Sequence, residues 1–256
     1  LHLSKPVREI LLTPDRKARG VETAAGEVFE ADAVVSNADV ANTYRKMIPA
    51  AARRKYTDDR LEDMRYSMSV FVAYFGTRKR YPDIAHHTII LGERYRELLD
   101  DIFHKKLLVD DFSLYLHRPS ATDPGMAPEG CDCFYALAPV PHLESGTDWS
   151  VEGDRYMKKI LDFLDAKYLP GLKRNLATSR YFTPLDFETK LNSYLGAAFS
   201  FEPVLTQSAW FRPHNESEDI GNLFFTGAGT HPGAGIPGVL CSSKIVEKLV
   251  CEKLPI

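Results

Sequence analysis

The chain has 256 residues, 32 of them Lys or Arg and 35 Asp or Glu, giving a formal net charge of −3, and 44% of its residues are apolar. That balance belongs to an ordinary folded protein and excludes disordered, collagenous and coiled-coil chains. It also argues against a nucleic-acid partner, which needs a concentrated excess of Lys and Arg. No apolar run approaches the roughly 20 residues of a membrane-spanning helix. Four cysteines make no disulfide framework, so a reducing compartment is expected.

The opening, Leu1-His2-Leu3-Ser4-Lys5-Pro6, has no Met, no basic region and no apolar region. Neither a signal nor a transit peptide fits, and the chain reads as a piece of a longer protein. Val7 to Leu12 is a β-branched, apolar strand ending at the turn Thr13-Pro14-Asp15. Arg19–Thr23 and Glu27–Glu30 flank a turn at Ala25-Gly26 and continue the meander. Ala33–Ser36 is an almost wholly apolar run, as in a strand buried on both faces. It leads into Asn37-Ala38-Asp39, a helix cap ahead of Val40 to Met47.

From about 45 to 205 the pattern changes. Met68–Phe75, Thr88–Leu91, Phe112–Leu116 and Phe134–Val140 read as strands. Tyr95, Leu98, Leu99, Ile102 and Phe103 fall on one helical face, and so do Met157, Ile160, Leu161, Leu164 and Tyr168. The second of these helices begins near Ser150 and ends at Pro170-Gly171. The aromatic residues Phe71, Tyr74, Phe75, Phe112, Tyr115, Phe134 and Tyr135 are either a lining for an apolar tunnel or plain core.

Asn222–Thr226 is a buried strand, followed by a glycine-rich turn from Gly227 to Gly235 and a helix over Val239–Val250, with Pro237 at its first position. Four glycines (Gly227, Gly229, Gly233 and Gly235) remove Cβ atoms where backbone N–H groups approach a ligand. The helix start adds free N–H groups and a positive dipole end, which suit a phosphate or an electron-rich carbonyl. The chemistry fits a nucleotide cofactor. A G-x-G-x-x-G run starting at Gly227 fails at Pro232, and no Gly-Lys-Ser/Thr follows, so neither common phosphate-binding motif is met here. A tight strand-to-helix connection with no ligand is the alternative.

The segment Asn222–Leu240, NLFFTGAGTHPGAGIPGVL, resembles the C-terminal signature of bacterial-type phytoene desaturases, FAD-dependent carotenoid desaturases related to the amine oxidase superfamily. Phe201–Asn215 (FEPVLTQSAWFRPHN), Ala85–Thr88, Ala138–His142 and Val34–Asp39 resemble that family as well. The likeness runs along essentially the whole chain and corresponds to about the C-terminal half of such an enzyme. It implies an α/β fold: part of a split, Rossmann-like FAD-binding domain over 1–44 and 206–256, with an inserted substrate domain over 45–205 built on a mixed sheet and helices. The turn that grips the FAD pyrophosphate would precede residue 1, so this chain alone would hold FAD weakly.

The resemblance places Val7 against the adenine through its backbone. It lays Gly227, Ala228, Gly229 and Thr230 along the ribityl and pyrophosphate, and turns the amides near Ile236, Pro237, Gly238 and Val239 toward the flavin C2 carbonyl region, Pro237 itself having no donor. Ala228 stands where many relatives carry an acidic residue. In the full-length parent, Gly→Val at 227 or 229 is expected to abolish cofactor retention while leaving a folded protein. No catalytic residue is assigned, because the flavin supplies the difficult step. The implied reaction is successive desaturation of phytoene toward lycopene. A related carotene desaturase or isomerase, or a truncated module that binds no FAD, is the alternative. The expected localisation is cytoplasmic, with a peripheral position on the inner face of the cell membrane where a polyene is available.

No metal site is expected. His86-His87 would point to opposite faces of a strand, and Cys131-x-Cys133 lacks a second pair. His231 either meets the flavin or packs the loop. Lys173-Arg174 and Arg78-Lys79-Arg80 read as solvated faces.

Overall fold

A computed structural model describes residues 1–254, and packing divides the chain into two compact units. The first gathers Leu1–Ser67, Asn192–Tyr194 and the residues from Phe199 on; the second holds Met68–Leu191 and Leu195–Ala198. The fold is α/β, with sheets and helices in both. The units do not change at 45 and 205 as expected, because 45–67 and 199–205 pack with the first unit. Tyr66 bridges Phe201, and the Asp219 carboxylate accepts the N–H groups of Lys55 and Tyr56 at 2.8 and 3.0 Å.

In the first unit, β1 (Val7–Leu12), β2 (Ala18–Thr23) and β3 (Val28–Glu30) form an antiparallel meander. Strand β4 (Val34–Ser36) follows, then α1 (Val40–Asn42), whose last N–H is capped by Asp39 Oδ1 at 2.9 Å. The expected helix through Met47 is instead α1 joined to a π-helical turn over Thr43–Met47. Helix α2 (Asp58–Asp63) is capped by the Thr57 hydroxyl.

The second unit contains β5 (Ser69–Thr77), β6 (His87–Ile90), α3 (Tyr95–Phe103), β7 (Leu114–His117), β8 (Asp132–Val140), α4 (Trp149–Lys167), α5 (Leu172–Asn175), β9 (Leu176–Phe182) and α6 (Pro184–Leu191). Its sheet runs β6-β7-β8-β5-β9 with every pairing antiparallel, so the insert's sheet is not a mixed one. Alternation along each strand sorts the aromatic side chains. Phe71, Phe75 and Phe134 face the core, where with Phe112 they pack against Tyr156, Met157, Ile160 and Leu164 of α4. Tyr74, Tyr115 and Tyr135 take the other, half-buried face. The tunnel-or-core choice therefore splits by parity: four are core, and three line an open aromatic face.

His142, at the end of the Ala138–His142 segment, is buried, and its Nε2 accepts a hydrogen bond from the Lys106 ammonium at 2.8 Å. Burial first, and that ammonium second, push its pKa down to about 4. The unfolded chain, titrating near 6.5, binds a proton that the native one refuses between about pH 6.5 and 4. Stability should therefore fall as pH drops through that window, by on the order of 2–3 kcal/mol in full. Urea midpoints at pH 7 and pH 4.5 should differ less in His142→Gln than in the parent. An equal pH dependence in both would show that His142 carries none of it.

Back in the first unit, β10 (Leu223–Phe225) pairs in parallel with β4, and α7 (Ile236–Lys253) closes the described chain. Both strands were expected to be covered on both faces. β10 is fully buried, flanked on its other edge by the backbone of Asn215 and Ser217. β4 is an edge strand, and its Val35 is 49% exposed.

Candidate functional site

The carboxyl ends of β4 and β10 lie side by side. The Thr226 N–H donates to Ser36 O at 2.9 Å, and the Thr226 hydroxyl to Asn37 Oδ1 at 3.2 Å. In α/β folds this end of a parallel pair is where ligands bind. Asn37–Asp39 leaves one strand toward α1, and the glycine loop leaves the other toward α7.

The loop has two halves. Gly227, Gly229 and Thr230 are buried within the protein, and their polar groups are largely spent there. The Gly227 N–H donates to Ser242 Oγ at 2.9 Å, and the Thr230 hydroxyl to Pro213 O at 2.7 Å. Gly227, at φ +108°, has Asn37 Oδ1 only 2.7 Å from where a Cβ would sit; at Gly229 that place lies 2.8 Å from both Val40 Cγ2 and Ser200 Oγ. The protein's own packing therefore already demands glycine at both positions.

The outer half is different. Ala234, Gly235, Ile236 and Pro237 are exposed, and Gly235, at φ +97°, has no atom within 4 Å of its absent Cβ. Helix α7 starts at Ile236, which makes Pro237 its second residue rather than its first. The Val239 N–H is already bonded to Gly235 O at 2.9 Å, so the free donors of the first turn are those of Ile236 and Gly238. The spelling Gly233-Ala-Gly235-Ile-Pro-Gly238 is itself G-x-G-x-x-G opening a helix, a signal the reading from Gly227 passes over. It stands eight residues beyond the end of β10, so it lacks the strand contact of the dinucleotide fingerprint.

Arg212 is the residue that sequence reasoning missed. It is 3% exposed, and no ion pair joins it to a carboxylate among the described residues. Its Nε and Nη2 donate to Ala228 O at 3.0 and 2.8 Å, and its remaining donors reach Gln207 O, Phe199 O and Phe201 O at 3.1–3.3 Å. Burial lowers its pKa to about 10, which leaves it charged at neutral pH. The rest of Phe201–Asn215 grips the loop as well. Pro213 O accepts the His231 N–H at 3.0 Å, Asn215 Nδ2 donates to His231 O at 2.8 Å, and His231 Nδ1 donates to Ala209 O at 2.9 Å. His231 thus packs the loop.

Val7 stands at the start of β1, half-buried, and among the described residues no hydrogen bond joins it to the loop. The four cysteines are free. No helix among the described residues is long and apolar enough to cross a membrane.

The outer loop thus offers unspent backbone donors, a helix N-terminus and open space, with a buried guanidinium behind it, and these fit an electron-rich or anionic portion of a nucleotide cofactor. Residues 1–246 match the family described as flavin containing amine oxidoreductase, and the chain belongs to that family. Among curated proteins it is 52% identical over 250 residues to a lycopene-forming phytoene desaturase of Pseudescherichia vulneris, covering 96% of this chain and 50% of that protein. It is 46% identical over 255 residues to a neurosporene-forming phytoene desaturase of Rhodobacter capsulatus, covering 98% and 49%. The chain thus spans about half the length of the curated relatives it matches. Solved structures share the fold at low identity. An oxidoreductase from Methanosarcina mazei has a TM-score of 0.59 at 16% identity (94% of this chain, 48% of that one), and cyclohexylamine oxidase from Brevibacterium oxydans has 0.51 at 14% (96% and 49%).

Proposed function

We propose that this chain serves an FAD-dependent desaturase that converts phytoene stepwise toward lycopene. The observation that carries this reading is the 46–52% identity to phytoene desaturases over nearly the whole chain, together with a loop whose outer half is open to a ligand. When bound, FAD supplies the two-electron acceptor for the hydride lost from a saturated C–C unit. Ile236 and Gly238 would offer their N–H groups to the flavin, and Arg212 holds the loop in place from behind. In this reading the backbone of Val7 meets the adenine.

The polyene needs an apolar, aromatic surface that orients one C–C bond and keeps water away. Tyr74, Tyr115 and Tyr135 supply such a face in the second unit, beside a cavity of about 600 Å³ lined in part by Met126, Phe134 and Arg180. A peripheral position on the membrane belongs to the same reading, because the substrate is held in lipid, and Leu205, Trp210 and Phe211 are exposed apolar residues that suit an interface. The near-neutral charge supports a protein with no nucleic-acid partner.

Expression of the full-length protein in phytoene-accumulating bacteria, followed by separation of pigments, tests the reading. Phytoene should fall while acyclic carotenes with longer conjugation appear. Isomers with unchanged conjugation would favour the isomerase sibling, and untouched phytoene would overturn the proposal.

A further inference from the structure

We infer that His86, His87 and His117 form a binding site for a divalent transition-metal ion, Zn²⁺ being the natural occupant. The site lies wholly in the second unit and does not depend on the flavin reading. It also corrects the expectation that this chain holds no candidate metal site. That expectation assumed that His86 and His87 share a strand and point apart. β6 begins only at His87, so His86 is free of the strand's alternation. Its ring turns back to lie 4.3 Å from that of His87, centroid to centroid. The antiparallel register then sets His87 directly opposite His117 on β7.

One ligand nitrogen from each of the three rings lies within 4.8 Å of the others. His86 Nε2 is 2.7 Å from His117 Nε2. The outer nitrogens of two rings are held by hydroxyl oxygens: His86 Nδ1 lies 2.6 Å from Thr122 Oγ1, and His87 Nδ1 lies 2.5 Å from Tyr115 OH. A ring nitrogen anchored on an oxygen, with the other aimed at a common point, is how ligating histidines are oriented. Among the described residues His117 Nδ1 is buried without a partner, so this ring's polar attachment among them is on the cluster side.

Three neutral imidazoles select Zn²⁺, Cu²⁺, Ni²⁺ or Co²⁺ over Mg²⁺ and Ca²⁺, which take oxygen ligands. Three protein nitrogens leave a fourth tetrahedral position for water. At metal–nitrogen distances of about 2.0–2.1 Å, tetrahedral nitrogens stand about 3.3 Å apart. Binding therefore requires the His86–His117 pair to open by roughly 0.6 Å and the proton now shared between their Nε2 atoms to move to an outer Nδ1, so that both rings ligate as neutral imidazoles, His86 donating to Thr122 Oγ1. The occupied site would clip the turn before β6 to β7 and to the Thr122 turn. His117 also lines the aromatic cavity, so the ion would sit at its edge.

The test is titration of the untagged full chain, first stripped with chelator, with Zn²⁺ and with Co²⁺. One equivalent of Zn²⁺ should bind with a dissociation constant on the order of micromolar or tighter, and Co²⁺ should give visible tetrahedral bands that Zn²⁺ abolishes. His87 is exposed, so His87→Ala should stay folded and lose at least tenfold in affinity. His86→Gln/His117→Gln should lose specific binding altogether. Binding of Zn²⁺ no tighter than millimolar, or an affinity unchanged in His87→Ala, would show a hydrogen-bonded histidine cluster and overturn the site.

Discussion

The Gly229→Val variant is expected to lose about 2–3 kcal/mol of stability, with flavin content falling only as the folded fraction falls. The reason is the packing around the inner loop. A Cβ there would lie 2.8 Å from the fully buried Val40 and equally close to Ser200 Oγ, and overfilling a packed core costs that much. Gly227→Val adds backbone strain at φ +108° to a collision with Asn37, whose amide oxygen is engaged by Thr226. This reverses the expectation drawn from the sequence, in which valine at either position blocks only the ligand. The contrasting position is Ile236, 79% exposed at the first residue of α7. Ile236→Asp should leave folding intact, since a carboxylate suits a helix start, yet lower flavin retention at least tenfold by competing for the same free donors. Urea unfolding of the full-length protein, with flavin absorbance of its native fraction, reads both. A stable, flavin-free Gly229→Val protein would restore the ligand-path view.

Arg212→Met should destabilise the first unit by about 3–5 kcal/mol. The substitution leaves the carbonyls of Ala228, Gln207, Phe199 and Phe201 without the donor of a side chain only 3% exposed, and each acceptor left unpartnered there is costly. Arg212→Lys keeps the charge but not the planar fork, so it should fall between the two and fail to hold Ala228. Burial depresses the guanidinium pKa only to about 10, so the loss should be flat between pH 6 and 8. An unchanged unfolding midpoint in Arg212→Met would show that the loop is held by other contacts.

Legibility in the sequence followed the strength of local periodicity. The apolar stripes of α3 and α4 and the continuous apolar runs of β5 and β8 identified those elements to within about a turn. β9 (LATSRYF) escaped because it is a largely exposed edge strand with polar residues at its centre, so neither face carries an apolar signature. The split of the aromatics followed from strand parity, whereas the tunnel-or-core question was asked residue by residue. The glycine loop was visible as a ligand loop, but which glycines serve packing depends on Asn37 and Val40, nearly 190 residues away in the chain. Arg212 is legible only in three dimensions, because its partners are backbone carbonyls of four separate residues. The histidine cluster was hidden because His86 and His87 were read as sharing one strand, whereas His86 lies just outside β6 and its ring does not follow the strand's alternation.

The central claim is that this loop belongs to a flavin oxidoreductase acting on a polyene. Its most direct test is anaerobic mixing of the flavin-loaded full-length protein with phytoene in liposomes, while the visible band of oxidised flavin and the carotenes are followed together. The account predicts that the band bleaches as phytoene disappears, with about one new double bond per flavin reduced. An oxidised flavin that persists beside unchanged phytoene, in a preparation whose flavin a chemical reductant still bleaches, would contradict it.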